Sequence, residues 1–284
     1  ALLADLRLAH GAVHTYGTPR RLVAHVEALA PRQPDLEQVV KGPPAERAFD
    51  AFGLPTKAAE GFARSKGVAL GDLQVREMDG GRYVAAVVFQ AGRPAAEVLA
   101  EALPGLLAGL KVDKSMRWNH TNVPFSRPIR WLLALYGSQV VPFAYAGLQS
   151  GSTTRGLRFY DPEIIPVDSP MAYYRALEAQ GIILNTAERQ QQVLAQVQRL
   201  AASLDGGIDP APALLAEVAN LVEARRAGVG SFDAEHLKLP REVLISVMKK
   251  HQRYFPVERH GKLLPYFITV SNQGKALRED VELI

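Results

Sequence analysis

The chain has 284 residues, of which 48% are hydrophobic and 22% charged, with a formal net charge of +4 and no cysteine. Such a length accommodates about two domains and a large core, the composition is that of a soluble globular protein, and no apolar run reaches the ~18 residues of a membrane span. Without cysteine there are no disulfides, thiolate nucleophiles or cysteine-ligated zinc, which points to a reducing compartment, the cytoplasm. The opening "ALLADLRLAHG" lacks the basic-then-apolar order of a secretory signal. The closing "GKALREDVELI" breaks off within a starting helix, so the sequence reads as an excised piece.

"AVHTYGTPRRLVAHVEAL" alternates apolar and β-branched residues around Gly17 and Pro19, predicting two short strands and a turn. In "KGPPAERAFDAFGLPTKAAEGFARSKG" the period becomes helical. Ala45, Ala48, Phe49 and Phe52 fall on one face after Pro43-Pro44, Gly53 ends that helix, and Thr56 caps a second one through Lys66. "GGRYVAAVVFQAG" reads as a hairpin strand, "PAAEVLAEALPGLLAGL" as a helix, and residues 127–136 and 139–146 as paired strands around Gly137-Ser138.

"MRWNHTNVPFSRPIRWLLALYG", residues 116–137, holds both tryptophans and three arginines, which suits either a base-stacking surface or a core strand. With a period of two, Trp131 shares a face with Arg127, Ile129, Leu133 and Leu135. The aliphatic neighbours favour burial, and loss of a core aromatic costs ~3–5 kcal/mol. Trp118 falls before a loop.

A helical region follows. "NTAERQQQVLAQVQRLAASL" has Asn185 as N-cap, Glu188 three residues later, and Val193, Leu194, Val197, Leu200 and Leu204 along one stripe. A further helix is expected at about 213–223. "PREVLISVMKKHQ", 240–252, starts on Pro240; its stripe of Val243, Leu244, Val247, Met248 and His251 should face the core, leaving Lys249, Lys250 and Arg253 outward. "YFPVERHGKLLPYFITVSN" returns to strands around Gly261. The expected organisation is an α+β domain of residues 1–159 and 229–284, interrupted by a helical insertion at 160–228.

The net charge is concentrated. Residues 241–262 hold six cations against two carboxylates, a net +4, and clustered positive charge is the mark of a polyanion partner. Lys249, Lys250 and Arg253 are the leading nucleic-acid-binding candidates, with Arg155 and Arg158 as a second cluster. The helix dipole also favours cations at that C-terminal end, so a structural role is open to them.

No motif offers catalysis or metal binding. "KVDKS" resembles the lysine-serine loop of class I aminoacyl-tRNA synthetases but has no His-x-Gly-His partner. His10 and His14 lack a completing carboxylate, the phosphate-loop and hydrolase-elbow patterns are absent, and Asp79, Asp113, Asp161 and Asp168 occupy turn-like positions that capping explains.

The blocks "TPRRLVAHV", "KGPPAERAFDAFGLPTKAAEGFAR", "MRWNHTNVPFSRPIRWLLALYG", "TTRGLRFY", "LLAEVANLVE", "EVLISVMKKHQRYFPV" and "GKLLPYFITVSN" occur in an order and spacing similar to those of the β subunit of bacterial heterotetrameric glycyl-tRNA synthetase. The resemblance covers nearly the whole chain. It implies an assembly of two α and two β subunits, in which α handles ATP, magnesium and glycine in a class II active site while β binds and positions tRNA(Gly). This segment would then be a non-catalytic part of a glycine–tRNA ligase, without a cofactor or metal of its own. The resemblance also implies several small mixed or antiparallel sheets with a helical insertion, similar to the editing-type domain of the phenylalanyl-tRNA synthetase β subunit. A purely structural assembly role and an editing hydrolase are the alternatives. One stretch departs from the family's pattern: Ala224, Arg225 and Arg226 stand where packing residues are usual, predicting a frayed strand or a rewritten surface.

Overall fold

The computed structural model describes residues 1–157, 163–209, 211–224 and 226–272. In chain order come α1 (Leu2–Asp5), β1 (Val13–Thr18), β2 (Arg21–Val26), β3 (Leu36–Pro44), α2 (Ala45–Ala48), α3 (Lys57–Lys66), β4 (Gln74–Met78), β5 (Gly81–Gln90) and α4 (Ala95–Ala108). Short strands follow: β6 (Leu132–Leu133), β7 (Leu135–Tyr136), β8 (Gln139–Val140), β9 (Ala144–Tyr145), β10 (Leu148–Gly151), β11 (Thr153–Arg155) and β12 (Ile164–Pro166). Then come α5 (Pro170–Ala179), α6 (Thr186–Ala202), α7 (Pro212–Ala219), β13 (Arg226–Ser231), α8 (Arg241–Ser246), β14 (Phe255–Arg259) and β15 (Lys262–Ser271). The chain is mixed α and β, and its small sheets are antiparallel except where β10 runs parallel to β6. No helix among the described residues is long and apolar enough to cross a membrane.

Two compact units emerge, one of residues 1–11 and 28–109, the other of 12–27 and 110–284. In the first, β3, β5 and β4 form an antiparallel sheet. Val84 of β5 packs with Ala48, Ala59, Phe49, Phe62 and Leu73. Helix α3 begins and ends as its sequence dictates, with the Thr56 hydroxyl accepting from Ala58 N and Gly67 closing it at φ 66. The helix expected over Ala45–Phe52 is a single turn. Asp50 diverts the chain, its carboxylate accepting from Phe52 N at 2.9 Å and Leu54 N at 2.8 Å, and Phe52 is left 89% exposed. A short side chain that bonds ahead to the backbone competes with helix in this way.

In the second unit β1 and β2 pair in full register from Val13↔Val26 to Thr18↔Arg21. The Asn185 side chain caps α6 by accepting from Glu188 N at 3.1 Å. Its stripe of Val193, Val197 and Ala201 meets Leu214 and Val218 of α7 together with Phe255, Val257 and Ile268 of β14 and β15. Contacts place α5 to α7 in one unit with the closing strands. A one-sided helix must cover its apolar face, and the strand residues supply that cover. Strand β13 is not frayed: it pairs with β15 from Arg226↔Ser271 to Ser231↔Tyr266, and Ala224 is buried. Arg225 lies outside the described residues.

The strands expected at 127–136 and 139–146 shrink to two-residue pieces, with β7 and β8 paired around Gly137 at φ 59. Trp131 is half-buried and outside any strand. The guanidinium of Arg21 lies 5.5 Å from its ring centroid and that of Arg155 5.8 Å. Two prolines, Pro124 and Pro128, withhold backbone donors just upstream, which keeps a ladder from forming there.

Phe255, wholly buried in the second unit's core, should cost ~3–5 kcal/mol when replaced by alanine. Trp131→Ala should cost less, ~1–2 kcal/mol, since only part of its surface is withdrawn from water. Denaturant unfolding of the two variants checks the order, and an equal loss would return Trp131 to the core.

Candidate functional site

The carboxylate of Glu223 is wholly buried just after α7 and is bonded by three side chains. It accepts from Thr18 Oγ1 at 2.6 Å, from Arg20 Nη1 at 3.3 Å and, closest of all, from Arg21 Nη1. The turn between β1 and β2 is shaped for this. Thr18 Oγ1 also accepts from the amides of Arg20 and Arg21, so the hairpin tip folds back and aims both guanidinium groups inward. Arg21 goes on to donate to the carbonyls of Arg155 and Gly156. The backbone of Glu223 is engaged too: its amide donates to Asn272 Oδ1 at 2.6 Å and its carbonyl accepts from Ile183 N at 2.9 Å.

A second buried arginine closes the same region. Arg189 of α6 is wholly buried and donates to the carbonyls of Ala219, Ile183, Leu184 and Gly17 at 2.6 to 3.2 Å. Burial pushes its guanidinium pKa below the ordinary arginine value, with nearby Glu223 acting the other way. Tyr173 packs into this neighbourhood, and burial raises its phenol to about 12. The cluster is an internal tie between hairpin, helices and closing strand.

The basic cluster of 241–262 is assembled differently from its sequence reading. After α8 the helix widens into π-helical turns over Val247–Gln252 and stops at Arg253, φ 58. The expected stripe is not a core face: Met248 is buried, whereas Val243 is 52% and Val247 45% exposed, and His251 is exposed. Carboxylates from the stretch before and within α7 reach the cations. Lys249 Nζ sits 2.6 Å from Asp209 Oδ2, and Arg253 Nε 2.7 Å from Glu217 Oε1. Arg241 meets Glu258 at 2.7 Å, and Arg259 meets Asp205 at 3.6 Å while donating to the Asp205 and Leu204 carbonyls. Among the described residues, Lys250 and Lys262 alone of this cluster have no ion pair. Both are exposed.

Of the second cluster, Arg155 is half-buried at the end of β11 and rests against Trp131, while Arg158 lies outside the described residues. Of the four candidates among the described residues, Lys249 and Arg253 hold Asp209 and Glu217, Lys250 is exposed, and Arg155 shares the Trp131 ring with Arg21. Glu223, Arg21 and Arg189 were not singled out from sequence. Their signal was thin, namely adjacent arginines at a hairpin tip in "TPRR" and a carboxylate ending the apolar run "LLAEVANLVE".

The same unit carries a cleft of about 740 Å³ bordered by Tyr16, Tyr174, Glu178, Glu188, Gln192 and Asn272. Tyr174 donates to or accepts from His25 Nδ1 at 2.9 Å, and burial raises its phenol to about 12. Glu188 is bound to Gln192 Nε2 at 2.6 Å. The described lining contains neither histidine nor lysine, so it lacks the group best suited to activate water near neutral pH. No three His, Asp or Glu side chains among the described residues are gathered to hold a metal ion.

Residues 1–282 match the family described as glycyl-tRNA synthetase beta subunit. The chain is 48% identical over 272 residues to the glycine–tRNA ligase beta subunit of Moorella thermoacetica, covering 95% of this chain and 39% of that protein. It is 44% identical over 283 residues to the corresponding subunit of Trichlorobacter lovleyi, covering 99% and 41%. A chloroplastic/mitochondrial glycine–tRNA ligase of Arabidopsis thaliana is 47% identical over 281 residues, covering 99% of this chain and 26% of that protein. The chain therefore spans about two fifths of its bacterial relatives' length.

The hydrogen bond and charge of Lys249, with the Ala211 amide, hold the Asp209 carboxyl below its ordinary pKa. A carboxylate lowered on folding adds stability above its unfolded pKa and loses it as the pH falls through the folded value. Lys249→Ala should move Asp209 back up, so that this acid-side loss largely disappears. Carboxyl chemical shifts followed against pH measure it; an unmoved Asp209 would contradict the ion pair.

Proposed function

The chain belongs to the glycyl-tRNA synthetase beta subunit family, and from that premise we propose that it is the tRNA-positioning and scaffolding part of a glycine–tRNA ligase β subunit. It supports the ATP-dependent joining of glycine to tRNA(Gly), which the α subunit carries out with ATP and magnesium, and contributes no catalytic residue or cofactor of its own. Its partners are tRNA(Gly), the α subunit and a second β subunit, in the cytoplasm. The likeness in organisation to the editing-type domain of the phenylalanyl-tRNA synthetase β subunit is part of this proposal, supported by the several small sheets.

The observation that carries the scaffolding half is the buried Glu223 tie, which fixes hairpin, helices and closing strand against one another. A rigid frame of this kind suits a part that orients a large substrate for chemistry performed elsewhere. Within the basic helix, Lys250 is the residue left to meet phosphate, because phosphates must displace carboxylates to engage Lys249 or Arg253.

Two measurements test the proposal. The purified chain without α should give no glycine-dependent exchange of pyrophosphate into ATP, and exchange would overturn the division of labour. In full-length β assembled with α, Lys249→Ala, Lys250→Ala and Arg253→Ala together should lower the salt slope of tRNA binding by about one unit, where three free contacts would give nearly three. A loss of three units would show that the ion pairs open for RNA.

A further inference from the structure

The candidates in the basic helix are largely neutralised, but another stretch carries equal charge and is not. Residues 111–130 hold Lys111, Lys114, Arg117, Arg127 and Arg130 against Asp113 alone, a net charge of +4 over 20 residues. All five cations are exposed, and none takes part in an ion pair among the described residues. Cations that self-repel without counter-charges are costly to keep together, and an external polyanion relieves that cost.

This loop is also held in shape. Met116 and Phe125 exchange both backbone hydrogen bonds, at 2.8 and 3.1 Å, closing residues 117–124 into a ring. Asn119 Nδ2 donates to Ala146 O at 2.8 Å, pinning the ring to the turn between β9 and β10. Arg117 Nε donates to Asn122 O at 3.1 Å, which fixes the arginine's stem while its terminal nitrogens stay available. Arg117 lies within this ring and the other four cations flank it, and a charged segment already ordered gives up little entropy on binding. Where the loop ends, Trp131 has the Arg21 and Arg155 guanidinium groups against its ring. The Trp131 indole is thus already engaged by cations, and the five exposed cations before it are left to meet phosphates.

We infer that the ordered loop 111–130, through Lys111, Lys114, Arg117, Arg127 and Arg130, is the main RNA-backbone contact of this chain, ahead of the basic helix 241–252. The inference rests on the tRNA-binding reading above. Contact with phosphate alone makes binding strongly salt-dependent and indifferent to base sequence.

The test uses full-length β assembled with α. Alanine at all five positions should reduce the salt slope of tRNA(Gly) binding by roughly two to four units and weaken binding at least about tenfold near 0.1 M salt. A tRNA of unrelated sequence should lose as much. Arg117→Lys, Arg127→Lys and Arg130→Lys together should keep the parental slope. The five side chains are exposed and outside any ion pair among the described residues, and only Arg117 gives up a hydrogen bond, to Asn122 O, so the variant should melt close to the parent. If it does not fold, the pairs Lys111/Lys114 and Arg127/Arg130 are replaced separately, each expected to remove more than one unit. A parental slope in the loop variants, with loss in the Lys249, Lys250, Arg253 variant, overturns the inference and leaves the tRNA-binding reading standing. If the parental assembly itself binds tRNA without salt dependence, that reading falls and the inference with it. Dissociation of α on sedimentation, with the tRNA slope unchanged, would make the loop a protein-docking surface and also overturn the inference.

Discussion

A carboxylate with no access to water organises the second unit. Burying one charge costs several kcal/mol, and the cost is recovered only when its partners are placed well. Glu223 meets those terms through Thr18, Arg20 and Arg21. Meeting them dictates much else: the tip of the β1–β2 hairpin must fold back, the chain after α7 must stay beside it, and Asn272 must arrive at the end of β15 to receive the Glu223 amide. Arg189 repeats the logic with carbonyls as acceptors, drawing together Gly17, the loop before α6 and the end of α7. Segments more than 200 residues apart in sequence are thereby joined by charge as well as by packing.

The distribution of the remaining charge follows from the same frame. Because α7 and the stretch before it are fixed beside the closing strands, Asp205, Asp209 and Glu217 come within reach of Arg259, Lys249 and Arg253. The net +4 of 241–262 is real in the sequence yet mostly spent within the fold. The equal charge of 111–130 finds no such carboxylates among the described residues. Two stretches alike by composition therefore differ in what they offer an anionic partner. Formal charge per segment measures potential binding only after internal pairs are subtracted.

Elements controlled by local rules were legible in the sequence. The Thr56 and Asn185 caps, the end of α3 at Lys66, the Gly261 turn and the buried face of α6 depend on neighbours within a few residues, and the structure has them all. The expectations that differ depend on distant partners or on a competing local bond. Asp50 captured two amides and ended a predicted helix; Val243 in α8 and Val247 at the start of the π-helical turns are exposed instead of facing the core. Lys249 and Arg253 were identified as cations, but their carboxylates lie 36 to 40 residues away and could not be read from spacing. Glu223 and Arg21 are 202 residues apart, and nothing in either neighbourhood marks one as the other's partner.

The most direct test of this account is a double-mutant cycle on Arg21→Met and Glu223→Leu, read by denaturant unfolding. Each single change strands a buried charge and should cost ~3–5 kcal/mol, while the double change removes both charges and should cost much less than the sum. Coupling of several kcal/mol is the predicted result. Single losses below about 1 kcal/mol that simply add would mean the ion pair is an ornament on a fold held by its apolar core.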